Sequence, residues 1–204
     1  MRYTGPKARL CRREGVNLFG SPKYQKALDR KPGIPGIHGV KRMGKLTEYA
    51  KQLREKQKAK RIFGLSEKQF RRNYDKASRM QGVTGDNLLQ LLERRLDNVV
   101  YRAGFALTRQ QARQVVSHGH LMANGRRVDV PSIDVRPGDV YEIRDRSKKS
   151  GLFSKVFEEN EKYEAPSWIK VDRKKMTIEI LELPDADHYE KMIEPRMIVE
   201  FYSR

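Results

Sequence analysis

Apolar positions recur at helical spacing through the first half of the chain and at strand spacing through parts of the second. From Thr47, a candidate N-cap, Tyr49, Ala50 and Leu53 share one face, while Lys51, Arg54, Lys56, Lys58, Lys60 and Arg61 fall elsewhere and Gly64 stops the pattern. Ser66-Glu67-Lys68-Gln69 has the form of a capping box, whose serine and glutamine side chains satisfy backbone N–H groups left over at a helix start. Phe70, Tyr74 and Ala77 follow at i, i+4 and i+7. A second basic amphipathic helix is therefore predicted, with its aromatic stripe in the core and Lys68, Arg71, Arg72, Lys76 and Arg79 outside. After Gly82 and Gly85, the residues Leu88, Leu89, Leu91, Leu92, Leu96, Val99, Val100 and Ala103 predict the most apolar helix of the chain, running to Gly104. Thr108-Arg109-Gln110-Gln111 is a second capping box, opening a shorter helix with Ala112, Val115 and Val116 inward and Gly119 at its end.

The pattern then changes period. Asn124-Gly125, a strong hairpin signal, separates the strand-like Leu121 to Ala123 from Arg126 to Val128, and Val140 to Ile143 alternates after the Pro137-Gly138 turn. Residues 147–165 turn polar and read as a linker or a lone charged helix; two strand-like pieces follow, Trp168 to Val171 and Met176 to Ile180, and an apolar run from Met197 to Tyr202 closes the chain. Residues 1–45 hold seven of the fifteen glycines and little apolar periodicity, so an extended arm is expected there. Its stretch Lys31 to Gly39 is punctuated by turn formers and must take its shape from whatever it lies against.

Charge changes the picture. The 204 residues carry 44 Lys plus Arg against 26 Asp plus Glu, a net +18. Residues 1–80 hold 23 basic and 6 acidic side chains, residues 81–150 hold 12 and 8, and residues 151–204 hold 9 and 12. An excess of +17 within 80 residues repels itself unless something anionic neutralises it, and a polyphosphate does so with release of condensed counterions. No run of apolar residues exceeds three, so neither a spanning helix nor a secretory signal is expected. Cys11 is the single cysteine and closes no intrachain disulfide; with four scattered histidines it forms no zinc-ligand set of the usual spacing, and an intracellular protein is expected.

The densest donor chemistry lies within twenty residues. Arg109 and Arg113 are spaced i, i+4 on one helical edge, His118-Gly119-His120 forms a turn, and Asn124-Gly125-Arg126-Arg127 forms a hairpin tip. If the helix packs on the sheet through its apolar face, these groups line one surface suited to a folded phosphate backbone. RNA is favoured over DNA, because neither helix concentrates base-reading residues as a helix-turn-helix does.

At these residues a family resemblance is strong. Arg94-Arg95-Leu96-Asp97-Asn98-Val99-Val100-Tyr101-Arg102, Gly104-Phe105-Ala106, Arg109 to Gln114, Ser117-His118-Gly119-His120 and Asn124 to Val128 resemble the signature of the bacterial and organellar S-four family of small-subunit ribosomal proteins. Arg12-Arg13-Glu14-Gly15, Pro35 to Gly39, Leu53 to Lys58, Glu67 to Arg71 and Glu200 to Arg204 resemble further segments of that family in the same order.

The resemblance implies an α+β fold: a mainly helical subdomain that includes the C-terminal end, an inserted small RNA-binding module of two helices packed on a small antiparallel sheet, and an extended basic N-terminal arm. The expected divisions are an arm over 1–45, a helical subdomain over 46–92, the module over 93–155, and C-terminal strands with a returning segment over 156–204. It implies a primary binder of small-subunit rRNA on a multi-helix junction of the 5′ domain, a nucleator of subunit assembly and a contributor to translational accuracy. The expected rRNA-binding residues are Arg2, Lys7, Arg12 and Arg13 in the arm; Arg54, Lys56, Lys58, Arg61, Lys68, Arg71 and Arg72 in the helical subdomain; and Arg94, Arg102, Arg109, Arg113, Ser117, His118, Asn124, Arg126 and Arg127 in the module. Lys41, Arg42 and Lys45 are expected to face mRNA at its entry channel. Tyr49, Glu200 and Tyr202 are expected to meet neighbouring protein, the third and fifth small-subunit proteins being the implied neighbours.

Some relatives bind zinc through four cysteines near the N-terminus; here only Cys11 matches, so no cofactor and no metal are expected. The same module accompanies catalytic domains in pseudouridine synthases and tyrosyl-tRNA synthetases. Only 49 residues follow position 155, however, and the basic half has neither a phosphate-cradling loop nor a nucleophile elbow, so no catalysis is expected. A free regulatory RNA binder acting on its own messenger stands as the alternative role.

Overall fold

The computed structural model describes residues 3–37, 39 and 46–203. Arg2, Lys41, Arg42 and Lys45 lie outside the described residues. The chain divides into two compact units, residues 1–74 with 191–204, and residues 75–190.

The first unit is helical. α3 (Glu48–Ile62) starts where Thr47 Oγ1 accepts from the Ala50 N–H, as the pattern predicts, and α4 (Glu67–Ala77) starts at the Ser66–Gln69 capping box, where the Gln69 N–H donates to Ser66 Oγ and the Ser66 N–H to Gln69 Oε1. Phe70, Tyr74 and Ala77 are buried, so the aromatic stripe is core. The closing run is a helix, α10 (Pro195–Tyr202), with proline at its first position, and it packs on α3. Gln52 Nε2 donates to Glu200 at 2.8 Å, the Glu194 N–H to Glu55 at 2.7 Å, and the Tyr202 ring lies 4.5 Å from that of Tyr74.

The N-terminal arm departs from the expectation of an extended segment. It contains α1 (Lys7–Glu14) and α2 (Pro22–Arg30), which pack on each other and bury Leu10, Cys11, Leu18 and Leu28. Four apolar residues are too few to show a helical period, and Gly15, one of the seven glycines of that segment, is the left-handed stop of α1 at φ 71°. Residues 31–37 form neither helix nor strand. Arg12 holds that stretch against α1, its Nε donating to Lys31 O at 2.8 Å and its Nη2 to Gly33 O at 2.9 Å.

The second unit packs helices on a sheet. The expected single apolar helix is two, α5 (Thr84–Glu93) and α6 (Leu96–Arg102). Arg95 breaks it by taking an extended conformation and bridging Asp134, so the first N–H groups of α6 bond outside the helix, Leu96 to Ile133 O at 2.9 Å and Asp97 to Pro131 O at 3.2 Å. Tertiary hydrogen bonding thus overrides a continuous helical propensity.

α7 (Arg109–Ser117) carries its Thr108 cap and seats Ala112, Val115 and Val116 in the core. Five antiparallel strands, β1 (Leu121–Ala123), β2 (Arg126–Val128), β3 (Val140–Ile143), β4 (Ile169–Asp172) and β5 (Thr177–Ile180), form one sheet in the order β2-β1-β3-β5-β4. The sheet therefore does not end near residue 155: β5 pairs directly with β3, Tyr141 facing Ile178. Residues 147–165 are no linker or lone charged helix. After the single turn α8 (Asp145–Lys148), α9 (Gly151–Glu159) buries Phe153 and Val156, and the Phe105 ring meets those of Phe153 and Phe157 at 6.4 and 5.0 Å. Each buried phenylalanine is worth about 1.5–3 kcal/mol, which outweighs the polarity of the flanking segment.

Candidate nucleic-acid interface

Two groups of cations emerge, and the sequence does not separate them. One group projects into solvent from the second unit, around the end of α7 and the β1–β2 hairpin. Ser117, His118, Asn124, Arg126 and Arg127 are all exposed there. The hairpin turn uses Asn124 at φ 49° and Gly125 at φ 76°, the two left-handed positions that match the twist of a two-residue loop, and pairs Ala123 with Arg126 and Met122 with Arg127. Gly119 is required between α7 and β1. Its φ is 66°, and a β-carbon there would sit 2.0 Å from Arg127 Nε, so only glycine lets that guanidinium lie over the turn and donate to His118 O at 3.4 Å.

Arg144, not singled out in the sequence, completes the cluster: its Nη1 donates to Gly119 O at 3.2 Å and its N–H to His120 O at 2.9 Å. It follows β3 directly, far from the motif in sequence, and only the pairing of β1 with β3 brings it there. Arg146 and Lys149 are exposed just beyond it.

His120 records the local field. Its Nδ1 lies 2.9 Å from Ser147 Oγ and its ring 6.1 Å from that of Phe153. Burial, and then the positive neighbours His118, Arg144 and Arg127, hold its imidazole below the ordinary histidine range. The unfolded chain therefore binds a proton here more readily than the folded one, so His120 costs stability as the pH falls below about 6.5 and costs none above it. His120→Gln should lessen the drop in melting temperature between about pH 7 and pH 5; equal drops in the two proteins would assign the acid sensitivity elsewhere.

In the first unit, Lys68, Arg71 and Arg72 are exposed on α4, and Arg13, Lys23, Lys26, Arg30 and Lys31 on or beside α1 and α2. Lys23, Lys26 and Arg30 lie in the segment expected to be an extended arm and are not among the residues the sequence singles out; α2 carries all three. Lys7 is half-buried, with Nζ 5.5 Å from the Phe19 ring centre.

The second group is turned toward the protein's own acids and carbonyls. Arg54 and Arg61 both bond Glu14, the first at 3.2 Å, joining α3 to α1; burial pushes the Glu14 carboxyl up while the two guanidinium groups pull it down. Lys56 is buried, 2.8 Å from Glu67 and 4.5 Å from the Phe201 ring centre. Burial raises the Glu67 carboxyl, but hydrogen bonds from Lys56, Lys60 and Tyr202 overcome it and leave it at about 2. Lys58 pairs with Glu55 at 2.7 Å, and Arg94 Nε donates to Val135 O at 3.2 Å.

Arg102 bonds Glu93 through two nitrogens, at 3.0 and 2.7 Å. Arg113 and Arg95 share Asp97, at 3.0 and 2.7 Å. Arg109 meets Glu190 at 2.6 Å. Spacing Arg109 and Arg113 at i, i+4 does put both on one helical edge, but each has an acid partner rather than an open donor face. Of the positions expected to meet neighbouring protein, Tyr49 is exposed with its ring 5.6 Å from Phe201, Glu200 accepts from Gln52, and Tyr202 donates to Glu67 at 2.9 Å.

Among the described residues no group of three or more His, Cys, Asp or Glu is placed to hold a metal, and no helix is long and apolar enough to cross a membrane. Cys11 is buried, and burial pushes its thiol up.

Comparison with known proteins matches residues 2–93 to the ribosomal protein S4/S9 N-terminal domain and residues 94–140 to the S4 domain. The small ribosomal subunit protein uS4 of Halothermothrix orenii is 51% identical over 207 aligned positions, covering 100% of this chain and 99% of its own. The uS4 protein of Desulfitobacterium hafniense is likewise 51% identical, and that of Chlorobium limicola 48%, each over 100% of this chain and 99% of its own. Two-domain coverage, an unbroken full-length match and a hairpin-tipped module on a small antiparallel sheet agree: the chain belongs to the uS4 family of small ribosomal subunit proteins, structural components of the ribosome rather than enzymes.

Proposed function

We propose that the chain is a primary rRNA-binding protein of the small subunit, which docks on a multi-helix junction of the 5′ domain, nucleates assembly there and contributes to translational accuracy. The observation that carries this reading is the gathering of exposed Ser117, His118, Asn124, Arg126 and Arg127 around the end of α7 and the β1–β2 hairpin, inside the segment that matches the S4 domain, with Arg144 joined to them through the Gly119 carbonyl. These are flexible donors with open faces, as an irregular phosphate backbone requires. The exposed cations of α1, α2 and α4 supply a second, less specific surface.

Lys41, Arg42 and Lys45 belong to the same reading as contacts to incoming mRNA. Tyr49, Glu200 and Tyr202 belong to it as the approach of the third and fifth small-subunit proteins. No zinc is proposed: Arg12, donating to the carbonyls of Lys31 and Gly33, ties the N-terminal segment together.

Filter binding of the purified chain to a 5′-domain junction fragment tests the reading. Binding should be tight at low salt and fall steeply with ionic strength. Deleting residues 2–45 should lower the slope of log K against log salt while leaving junction binding detectable. A full-length chain that ignores the fragment in physiological buffer ends the proposal, and an unchanged slope removes the arm from the contact set.

A further inference from the structure

Residues 184–190 are strapped across α5, α6 and α7 by three side chains. Gln90 Nε2 donates to Pro184 O at 3.1 Å, Arg102 Nη2 to His188 O at 3.4 Å, and Arg109 Nη2 to Glu190 Oε2 at 2.6 Å. The two arginines converge on one point, since Arg102 Nη2 also lies 3.8 Å from the same Glu190 oxygen.

Both guanidinium groups are fixed from behind. Arg102 is gripped by Glu93 through two nitrogens. Arg109 donates from Nε to Asn98 Oδ1 at 2.8 Å and stacks over the Tyr101 ring at 4.6 Å. Asn98 is itself buried and anchored, its Nδ2 donating to Glu93 O at 3.0 Å and to Glu93 Oε2. Among the described residues the side chain of Glu190 makes its polar contacts with the two arginines alone, and it is 15% exposed, as is that of Arg109.

Pre-positioned guanidinium donors converging on one anionic oxygen suit a carboxylate or a phosphodiester, because each presents a charged oxygen acceptor that the planar guanidinium fork can meet. We propose that Arg102 and Arg109 form a binding site for one RNA phosphodiester, and that Glu190 occupies it in the free protein as an internal stand-in that withdraws when RNA docks. The inference rests on the reading of the chain as an RNA binder and deepens it. Glu93 already balances Arg102, so removal of the Glu190 charge leaves Arg102, Arg109 and Glu93 with one positive charge in excess, which an external anion neutralises. The Arg95–Asp97–Arg113 group differs, because its acid is buried and belongs to helix α6 itself.

Glu190→Gln removes the competing charge and keeps the side-chain length. With the full-length chain and a labelled 5′-domain junction fragment, this variant should bind about three- to tenfold more tightly than wild type at ~0.1 M salt, with a log K against log salt slope steeper by about one. Adding Arg109→Ala to Glu190→Gln should abolish the gain. Unchanged or weaker binding by Glu190→Gln, or a gain that survives Arg109→Ala, overturns the stand-in. Should thermal unfolding show that Glu190→Gln is not folded, Glu190→Asp takes its place, retracting the charge by one methylene; a smaller gain is then expected, and no gain overturns the proposal. Inorganic phosphate distinguishes a free-anion site: if it raises the melting temperature of Glu190→Gln as much as the RNA fragment does, the assignment to an RNA backbone is overturned. Failure of the wild-type chain to bind the fragment sinks the proposed function instead.

Discussion

Arg126→Glu combined with Arg127→Glu lowers the affinity for the rRNA junction by at least about a hundredfold, while the melting temperature of the protein stays within about 2 °C of wild type. The size follows from the chemistry of the contact. A hydrogen bond to a charged group is worth roughly 1.5–3 kcal/mol, so two lost contacts amount to about 3–6 kcal/mol, and each 1.4 kcal/mol is a factor of ten. Charge reversal adds repulsion, and the salt slope should fall by about two as two phosphates lose their partners. The stability should hold because both side chains are exposed and the hairpin is set by Asn124 and Gly125, not by the arginines. Filter binding across a salt series beside a thermal melt measures both halves. Binding within threefold of wild type would remove the hairpin tip from the RNA contact surface.

Arg126 and Arg127 could be chosen from the sequence because the Asn-Gly turn fixes where they point. The same is true of the α4 cations, since the Ser66 capping box and the Phe70–Tyr74–Ala77 stripe fix the outer face that carries Lys68, Arg71 and Arg72. Such local rules act within a few residues, and their predictions for α3, α4, α7 and the β1–β2 hairpin agree with the structure. What the sequence did not reveal depends on partners far along the chain. Glu14 lies 40 and 47 residues from the arginines it binds, Glu190 lies 81 from Arg109, and Arg144 reaches Gly119 across 25. A guanidinium that grips an internal carboxylate and one that awaits a phosphate have the same one-letter code and the same helical spacing. Arg54, Arg61, Arg102, Arg109 and Arg113 were therefore grouped with the exposed cations until burial and partners distinguished them.

The break between α5 and α6 is the sharpest case, because it creates the pocket that fixes three of those side chains. At the last residue of α5, Glu93 has a side chain only 1% exposed and accepts from both Asn98 Nδ2 and two nitrogens of Arg102. A continuous helix would carry residues 93 and 98 away from each other's face, whereas the extended Arg95 turns the chain back so that Asn98 also caps the Glu93 carbonyl at 3.0 Å. Glu93→Ala removes the acid and leaves Arg102, itself four-fifths buried, with the longer contact to Glu190 and the 3.4 Å hydrogen bond to the His188 carbonyl.

Stripping one partner from a buried pair costs about 3–5 kcal/mol, because the remaining charge stays desolvated. For a unit of this size that corresponds to a fall in melting temperature of roughly 10–20 °C. Glu93→Gln, which keeps an acceptor for Arg102 and Asn98 but not the charge, should lose less. Glu93→Leu with Arg102→Met should recover most of the loss, since replacing both charges by apolar groups of similar volume removes the desolvation penalty along with the attraction. Thermal and urea unfolding of the three variants provide the test. A Glu93→Ala protein that melts within 2 °C of wild type would mean that the carboxylate does not hold the α5–α6 break together. In that case Arg102 and Arg109 would owe their positions to the strap of residues 184–190, and the stand-in role of Glu190 would have to be a structural one.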